Sequence, residues 1–323
     1  MADLGWSSTT DDVMATLLGN DRLDGFSVLV TGASTGLGEE TCRALMARGA
    51  QVFMGVRDLS RGRAAVDRIT AQVSGGPHPT LIPLDLESLH SVREAASTVA
   101  EHSGHLNAVI NNAGVMACPQ GRTVDGFERQ MGTNHLGHHL LARLLTPCLV
   151  EGAQQRGRPS RVVSLSSRGH SFGDVDLDDL HYEHSPYEPF DAYGRSKTAN
   201  ALFAVAFDQR HAADGVRAYS VHPGGIHTEL GRHMTRDLVA SLMATIGGAD
   251  TVRWKTIPQG AATTLWALLN PDLEARGGAY CEDCSVAVVS DDASTSSGVR
   301  PYAVDPDRAS ALWALSDTVT GVR

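Results

Sequence analysis

No apolar run in this 323-residue chain reaches the roughly 18 residues that a membrane-spanning helix needs. The first residues carry Asp3, Asp11 and Asp12 and lack the basic and apolar regions of a secretory signal. The five cysteines, Cys42, Cys118, Cys148, Cys281 and Cys284, are scattered and odd in number, which predicts free thiols rather than a disulfide framework. Basic residues are in deficit: 27 Lys and Arg face 37 Asp and Glu, for a formal net charge of -10. Nucleic acid and anionic membranes need a basic face, so neither is expected as the main partner. There is no internal repeat, and no Pro-, Gly- or Ser-rich linker divides the chain. The expectation is a cytoplasmic protein with one principal domain.

A hydrophobic fraction of 42% is enough for a large core, and 33 glycines suit a fold with many tight strand-to-helix turns. Residues 1–25 read as an N-terminal extension with a short helix from Thr10 to Gly19, Thr10 serving as N-cap. From residue 26 to 323, strands alternate with helices. Strands are predicted at 27–31, 51–56, 80–84, 108–111, 161–165, 217–222 and 278–281. Helices are predicted at 39–48, 61–73, 127–149 and 192–211. Such alternation predicts an α/β fold, a doubly wound parallel sheet of the Rossmann type.

Thr31-Gly32-Ala33-Ser34-Thr35-Gly36-Leu37-Gly38 joins the first strand directly to a helix. In that context Gly32 permits a sharp turn, Gly36 lets the backbone approach a pyrophosphate, and Gly38 lets the helix pack on the sheet. The turn, with Ser34, Thr35 and Leu37, is the expected phosphate cradle at a helix N-terminus. The second strand ends in Val56-Arg57-Asp58. An acidic residue at its end would favour NAD(H). Arg57 instead suits a ribose 2′-phosphate, so NADP(H) is preferred, with NAD(H) as the alternative that Asp58 keeps open. Asp85-Leu86 after the third strand fits an adenine contact.

Tyr193-Gly194-Arg195-Ser196-Lys197 places a phenol and an ammonium at i and i+4 on one helix face. A nearby cation lowers a phenol pKa toward the range useful for acid–base chemistry. His135, His138 and His139 crowd one helix, but a metal site is not expected there. His170 is either a pocket residue or an ordinary loop histidine. Cys281-x-x-Cys284 reads as packing.

Taken in order, these motifs resemble the classical short-chain dehydrogenase/reductase family. The resemblance runs from about Phe26 to Cys284. It includes the Gly turn, Asn111-Asn112-Ala113-Gly114, Asn134, Ser166-Ser167, the Tyr193/Lys197 pair and Pro223-Gly224-Gly225-Ile226-His227-Thr228. Asn134-His135-Leu136-Gly137-His138 and the residues from Tyr193 to Asn200 are similar to the retinol dehydrogenase and WW-domain oxidoreductase branch. Gly277 to Cys284 resembles its bacterial members.

The resemblance implies an enzyme that interconverts an alcohol and a carbonyl on a small, lipophilic molecule. Tyr193 would be the acid–base, Lys197 would tune it and hold the nicotinamide ribose, Ser167 would hydrogen-bond the substrate oxygen, and Asn134 would hold a relay water. Ala113, Gly114, Pro223 and Gly224 would line the cofactor, with Asn111 and Asn112 partly structural, and Thr228 and the backbone near Ile226 would anchor the nicotinamide carboxamide. Residues 229–256 would form a lid, to which Leu230, Met234, Leu238, Leu242, Met243 and Ile246 contribute apolar surface. Whether that surface serves substrate or the protein's own core is open at this level. The resemblance also implies a homo-oligomer, dimer or tetramer, pairing through the helices that hold Asn134 and Tyr193. Two other functions are weighed: a ring double-bond reductase of the protochlorophyllide reductase type, and a non-catalytic NADP(H)-binding redox sensor. The full set Asn134, Ser167, Tyr193 and Lys197 argues against the sensor.

Overall fold

A computed structural model describes residues 3–73, 75–245, 248, 253–292, 295 and 297–322. After helix α1 (Thr10–Leu18), the chain alternates β1 (Ser27–Thr31), α2 (Gly36–Ala47), β2 (Gln51–Val56), α3 (Leu59–Gln72), β3 (Thr80–Pro83), α4 (Leu89–Ser103) and β4 (Ala108–Asn111). A short α5 (Arg129–Met131) leads through a π-helical turn, Gly132–Leu136, into α6 (Gly137–Arg156). Then follow β5 (Ser160–Leu165), α7 (Pro189–His211), β6 (Val216–His222), β7 (Gly225–Ile226), α8 (Arg236–Thr245), β8 (Trp254–Lys255), α9 (Ile257–Leu269), β9 (Tyr280–Glu282), β10 (Ser285–Val286) and α10 (Pro306–Thr320).

The eight-stranded sheet has the order β3-β2-β1-β4-β5-β6-β9-β10. All neighbours are parallel except β9 and β10. The central strands β1, β4 and β5 are buried along their whole length, each around a short apolar core such as Val28-Leu29-Val30, Ala108-Val109-Ile110 or Val162-Val163. One face packs on α4, α6, α7 and α10 through Leu29, Val109, Val162, Leu140 and Phe207. The other packs on α1, α2, α3 and α9 through Val28, Ile110, Leu45 and Leu265. A two-stranded parallel sheet, β7 with β8, stands apart from the main one. The doubly wound α/β fold is therefore as expected. No helix among the described residues is long and apolar enough to cross a membrane.

Several boundaries move, each for a local reason. Thr9, not Thr10, caps α1: its hydroxyl accepts from the Asp12 amide while the Asp12 carboxylate accepts from the Thr9 amide. α2 starts at Gly36 within the Gly turn itself. α3 starts at Leu59, because the Asp58 carboxylate caps it by accepting from Ser60 N and Arg61 N at 2.8 and 3.1 Å. The helix expected at 127–149 is broken by the π-turn and runs on to Arg156. Three further helices, α4, α9 and α10, had not been expected. α9 is buried nearly all round, so its Ala- and Thr-rich sequence carries no amphipathic stripe.

α10 lies across α6 and α7. Its Trp313 packs edge-on to His139 at 4.7 Å and roughly parallel to Phe203 at 6.0 Å between ring centroids, with the Arg143 and Arg210 guanidiniums over the indole. Pairing through α6 and α7 would therefore have to include or displace α10. Trp313→Ala is expected to lower the unfolding free energy by about 3–5 kcal/mol, read from urea denaturation. A change below about 1 kcal/mol would show that α10 is only loosely attached.

Candidate functional site

The order of the sheet reverses between β1 and β4, so a crevice opens beyond their C-terminal ends. Gly32 has φ +64°, and a Cβ there would lie 2.8 Å from the Ala113 Cα. A Cβ on Gly38 would lie 2.4 Å from the Gly32 carbonyl oxygen, so the first turn of α2 can approach β1 only with glycine at this place. Thr35 starts α2 without a side-chain hydrogen bond to it. A cleft of about 550 Å³ opens beside this turn, lined among others by Ser34, Thr35, Gly36, Arg61, Arg68 and Glu229. Across the cleft stands Thr228, whose Cγ2 would be 3.6 Å from a Cβ on Gly36. The turn, its helix N-terminus and the adjoining cleft fit a dinucleotide pyrophosphate.

The Thr31 hydroxyl accepts from Asn112 N at 2.9 Å and Ala113 N at 3.0 Å, while the Asn112 amide donates to Thr31 O at 2.7 Å. His138 Nε2 stands 2.8 Å from the same hydroxyl, and its Nδ1 donates to the Asn134 carbonyl at 2.9 Å. A carbonyl only accepts, so the proton is on Nδ1 and Thr31 donates to Nε2. Asn111 donates to Ser164 Oγ at 3.1 Å.

Asn134 lies on the π-turn and is fully buried. Its amide donates to Val115 O and Ser196 Oγ, both at 2.9 Å, and accepts from Val115 N at 2.8 Å. Ser196 in turn donates to Tyr193 O, which ties the π-turn to α7. On α7, Tyr193 and Lys197 are both buried. The Tyr193 ring lies beside Ser167: a Cβ on Gly169 would be 2.9 Å from Tyr193 Cδ1 and 3.4 Å from Ser167 Oγ. Ser166 points the other way and donates to Lys197 O at 2.8 Å. The Lys197 ammonium donates to Leu165 O at 2.9 Å and lies 5.6 Å from the Tyr193 ring centroid. Gly114 leaves this corner open: a Cβ there would be 3.0 Å from Asn134 Oδ1 and 3.6 Å from Lys197 Nζ.

One electrostatic expectation is reversed. Burial pushes the Tyr193 phenol up to about 12, against the smaller downward pull of the neighbouring Ser167 hydroxyl. Burial also pushes the Lys197 ammonium down to about 8. The ammonium is turned to the Leu165 carbonyl rather than to the phenol oxygen, so it does not offset the desolvation of a phenolate.

Other expected residues fall as follows. Arg57 is 63% exposed, with one loose ion pair to Glu87 at 3.5 Å. Asp58 is engaged as the α3 cap. The Asp85 carboxylate accepts from Glu87 N. Leu86 is buried in the core beside Gly137. Thr228 caps the turn Glu229–His233, and Glu229 forms an ion pair with Arg61. The lid side chains Leu230, Met234, Leu238, Leu242 and Met243 are half-buried and join no core cluster, while Ile246 lies outside the described residues. His170 is neither a pocket wall nor a loose loop residue. It is buried, donates from Nδ1 to Ser167 O at 2.7 Å and accepts at Nε2 from Arg300 N at 3.1 Å. His135 and His139 bond Ser316 and Asp317 of α10, and no metal-binding cluster occurs among the described residues. Cys281 and Cys284 are buried free thiols.

Gly169 was missed by sequence reasoning. Its Cβ would lie 2.7 Å from Tyr193 Cε1, so glycine lets the turn after Ser167 press on the phenol ring. The only signal was a glycine two places after the serine.

Residues 27–176 match the family model described as short chain dehydrogenase. Over 303 residues the chain is 41% identical to the short-chain dehydrogenase/reductase prx1 of Penicillium roqueforti, covering 92% of this chain and 86% of that one. The chain belongs to the short-chain dehydrogenase/reductase family. It is also 41% identical to mouse retinol dehydrogenase 11 over 84% of this chain and 82% of that protein. A crystal structure of an uncharacterised protein from Mycobacterium paratuberculosis aligns over 98% of both chains with a TM-score of 0.72 and 34% identity. As a short-chain dehydrogenase/reductase, the protein is an oxidoreductase acting on CH–OH and C=O groups.

The histidines built into this reductase frame set its acid stability. Burial holds His138 and His170 down to about 4 and His222 down to about 3. In the unfolded chain they titrate near 6.5, so it binds more protons than the folded chain at mildly acidic pH. Stability is therefore full above about pH 6.5 and is lost as pH falls toward about 4. The urea midpoint should drop steadily over that window, and His138→Gln should reduce the slope. A flat profile would contradict the assignment.

Proposed function

We propose that this short-chain dehydrogenase/reductase uses NADP(H) to interconvert an alcohol and a carbonyl on a small lipophilic molecule. The observation that carries this reading is the buried Tyr193 phenol beside Ser167, with the buried Lys197 one helical turn further on. A phenol held at about 12 is protonated at neutral pH. It is thus ready to donate to a carbonyl oxygen in the reductive direction. Ser167 would hydrogen-bond the same oxygen as negative charge develops there. Lys197, at about 8, remains largely an ammonium at pH 7 and supplies the positive charge of the site. Asn134 would hold the relay water through an acceptor lone pair left free by its bonds to Val115 and His138. When bound, the nicotinamide supplies or accepts the hydride.

Arg57 supports the phosphorylated cofactor, since its guanidinium is exposed and Asp58 is turned away into the α3 cap. The lid supports a lipophilic substrate. Five apolar side chains there are half-buried without joining the core, as expected of a surface awaiting an apolar ligand. The lid also reaches across to the body of the protein: Glu229 pairs with Arg61, and His233 feels the charges of Arg129 and Glu87. Retinol dehydrogenase 11 is named for a lipophilic alcohol, which agrees with this choice. A cytoplasmic location belongs to the same reading. A homo-oligomer pairing through α6 and α7 would have to include or displace α10.

The test follows NADPH and NADH oxidation with hydrophobic aldehydes, ketones and retinoid-like carbonyls. Tyr193→Phe should lower kcat by about 100-fold or more while NADPH still binds. Unchanged turnover in Tyr193→Phe would overturn the acid–base assignment. Preference for NADH would overturn the Arg57 reading alone.

A further inference from the structure

The chain has 27 basic side chains, of which only Lys197 and Lys255 are lysines; the rest are arginines. Both lysines are buried, at 4% and 5% exposure. Lys197 belongs to the site already described. Lys255 has had no role, and neither has the segment Gly277–Cys284.

Lys255 ends β8, the strand on which the chain returns from the lid, and it pairs in register with Ile226 of β7. Its stem lies against Gly224, where a Cβ would be 2.8 Å from Lys255 Cδ and 3.0 Å from Cε. Gly224 has φ +101°, a conformation open in practice only to glycine. The Lys255 ammonium donates to Asp283 Oδ1 at 2.6 Å. Asp283 sits in the turn between β9 and β10, where it and Cys284 take left-handed backbone with φ +48° and +53°. Two consecutive non-glycine residues in that region are costly unless held. The turn is fixed to α9 by the Cys284 amide, which donates to Thr263 Oγ1 at 3.2 Å.

We propose that the Lys255–Asp283 pair staples the nicotinamide end of the cofactor cleft, with Lys255 as a positioning residue for the loop Pro223–Thr228. This rests on the reading of that loop as the one that holds the nicotinamide carboxamide. A buried ammonium is tolerated only while it is paired. Pairing draws the Lys255 stem along Gly224 and holds β8 on β7, so the loop leaves β6 along a single path. The choice of lysine follows from shape: a narrow stem with a compact charge fits beside Gly224, whereas a planar guanidinium is broader.

The experiment compares NADP+ with 2′-phospho-ADP-ribose, which lacks the nicotinamide, by calorimetric titration of the full-length protein. The variants are Lys255→Met, Asp283→Asn and the double variant. Asparagine tolerates left-handed backbone, so Asp283→Asn keeps the turn even if Lys255→Met folds poorly. Each single variant should weaken NADP+ by about tenfold and leave the fragment within about twofold. The double variant should be no weaker than the weaker single, because one interaction is lost in all three. Unchanged NADP+ affinity, or an equal loss for the fragment, would overturn the staple. If the native protein binds NADP+ no more tightly than the fragment, the carboxamide loop itself has been misassigned.

Discussion

The hydroxyl of Thr31 is the point on which the site's geometry depends. One oxygen at the end of β1 accepts two backbone amides from the end of β4 and donates to His138 on α6. Through His138 it reaches the carbonyl of Asn134, and through Asn134 and Ser196 it reaches α7. Three segments far apart in sequence thereby take a fixed relation where the sheet changes direction. All the groups involved are buried or nearly so, and each unmade bond there would cost about 1–3 kcal/mol. The network is therefore satisfied as a whole or expensive in part.

The same frame explains the electrostatics. Burial that orders the hydrogen bonds also withdraws solvent from every titrating group, raising the phenol, lowering the ammonium and keeping the histidines neutral. A neutral His138 matters because its position is close enough to Lys197 for their charges to oppose each other.

Much of this was legible in the sequence. β1, β2, β4 and β5 announced themselves as apolar runs, and the Gly turn, Ser167, Tyr193 and Lys197 were recognisable from their order along the chain. What was not legible depends on tertiary context. From Gly260 to Leu268 α9 is buried on all sides, so it has no polar face to mark it. The π-turn at Asn134 is sustained by contacts with Val115 and Ser196, which no local propensity encodes. The phenol's pKa could not be judged from spacing: i and i+4 bring Lys197 close to Tyr193, yet the ammonium turns to a carbonyl on β5. His170 looked optional until Arg300, over a hundred residues later, proved to be its partner.

The placement of α10 bears on the order in which the molecule is completed. Every strand of the sheet precedes it in the chain, yet its Ser316 and Asp317 hold His135 and His139 beside the Asn134 turn. During synthesis the sheet and its helices therefore leave the ribosome with the aromatic face of α6 and α7 bare. Phe203 and Phe207 wait on that face for Trp313. Until α10 arrives, the nascent chain presents a sticky apolar surface, so this is the interval in which a chaperone has most to protect.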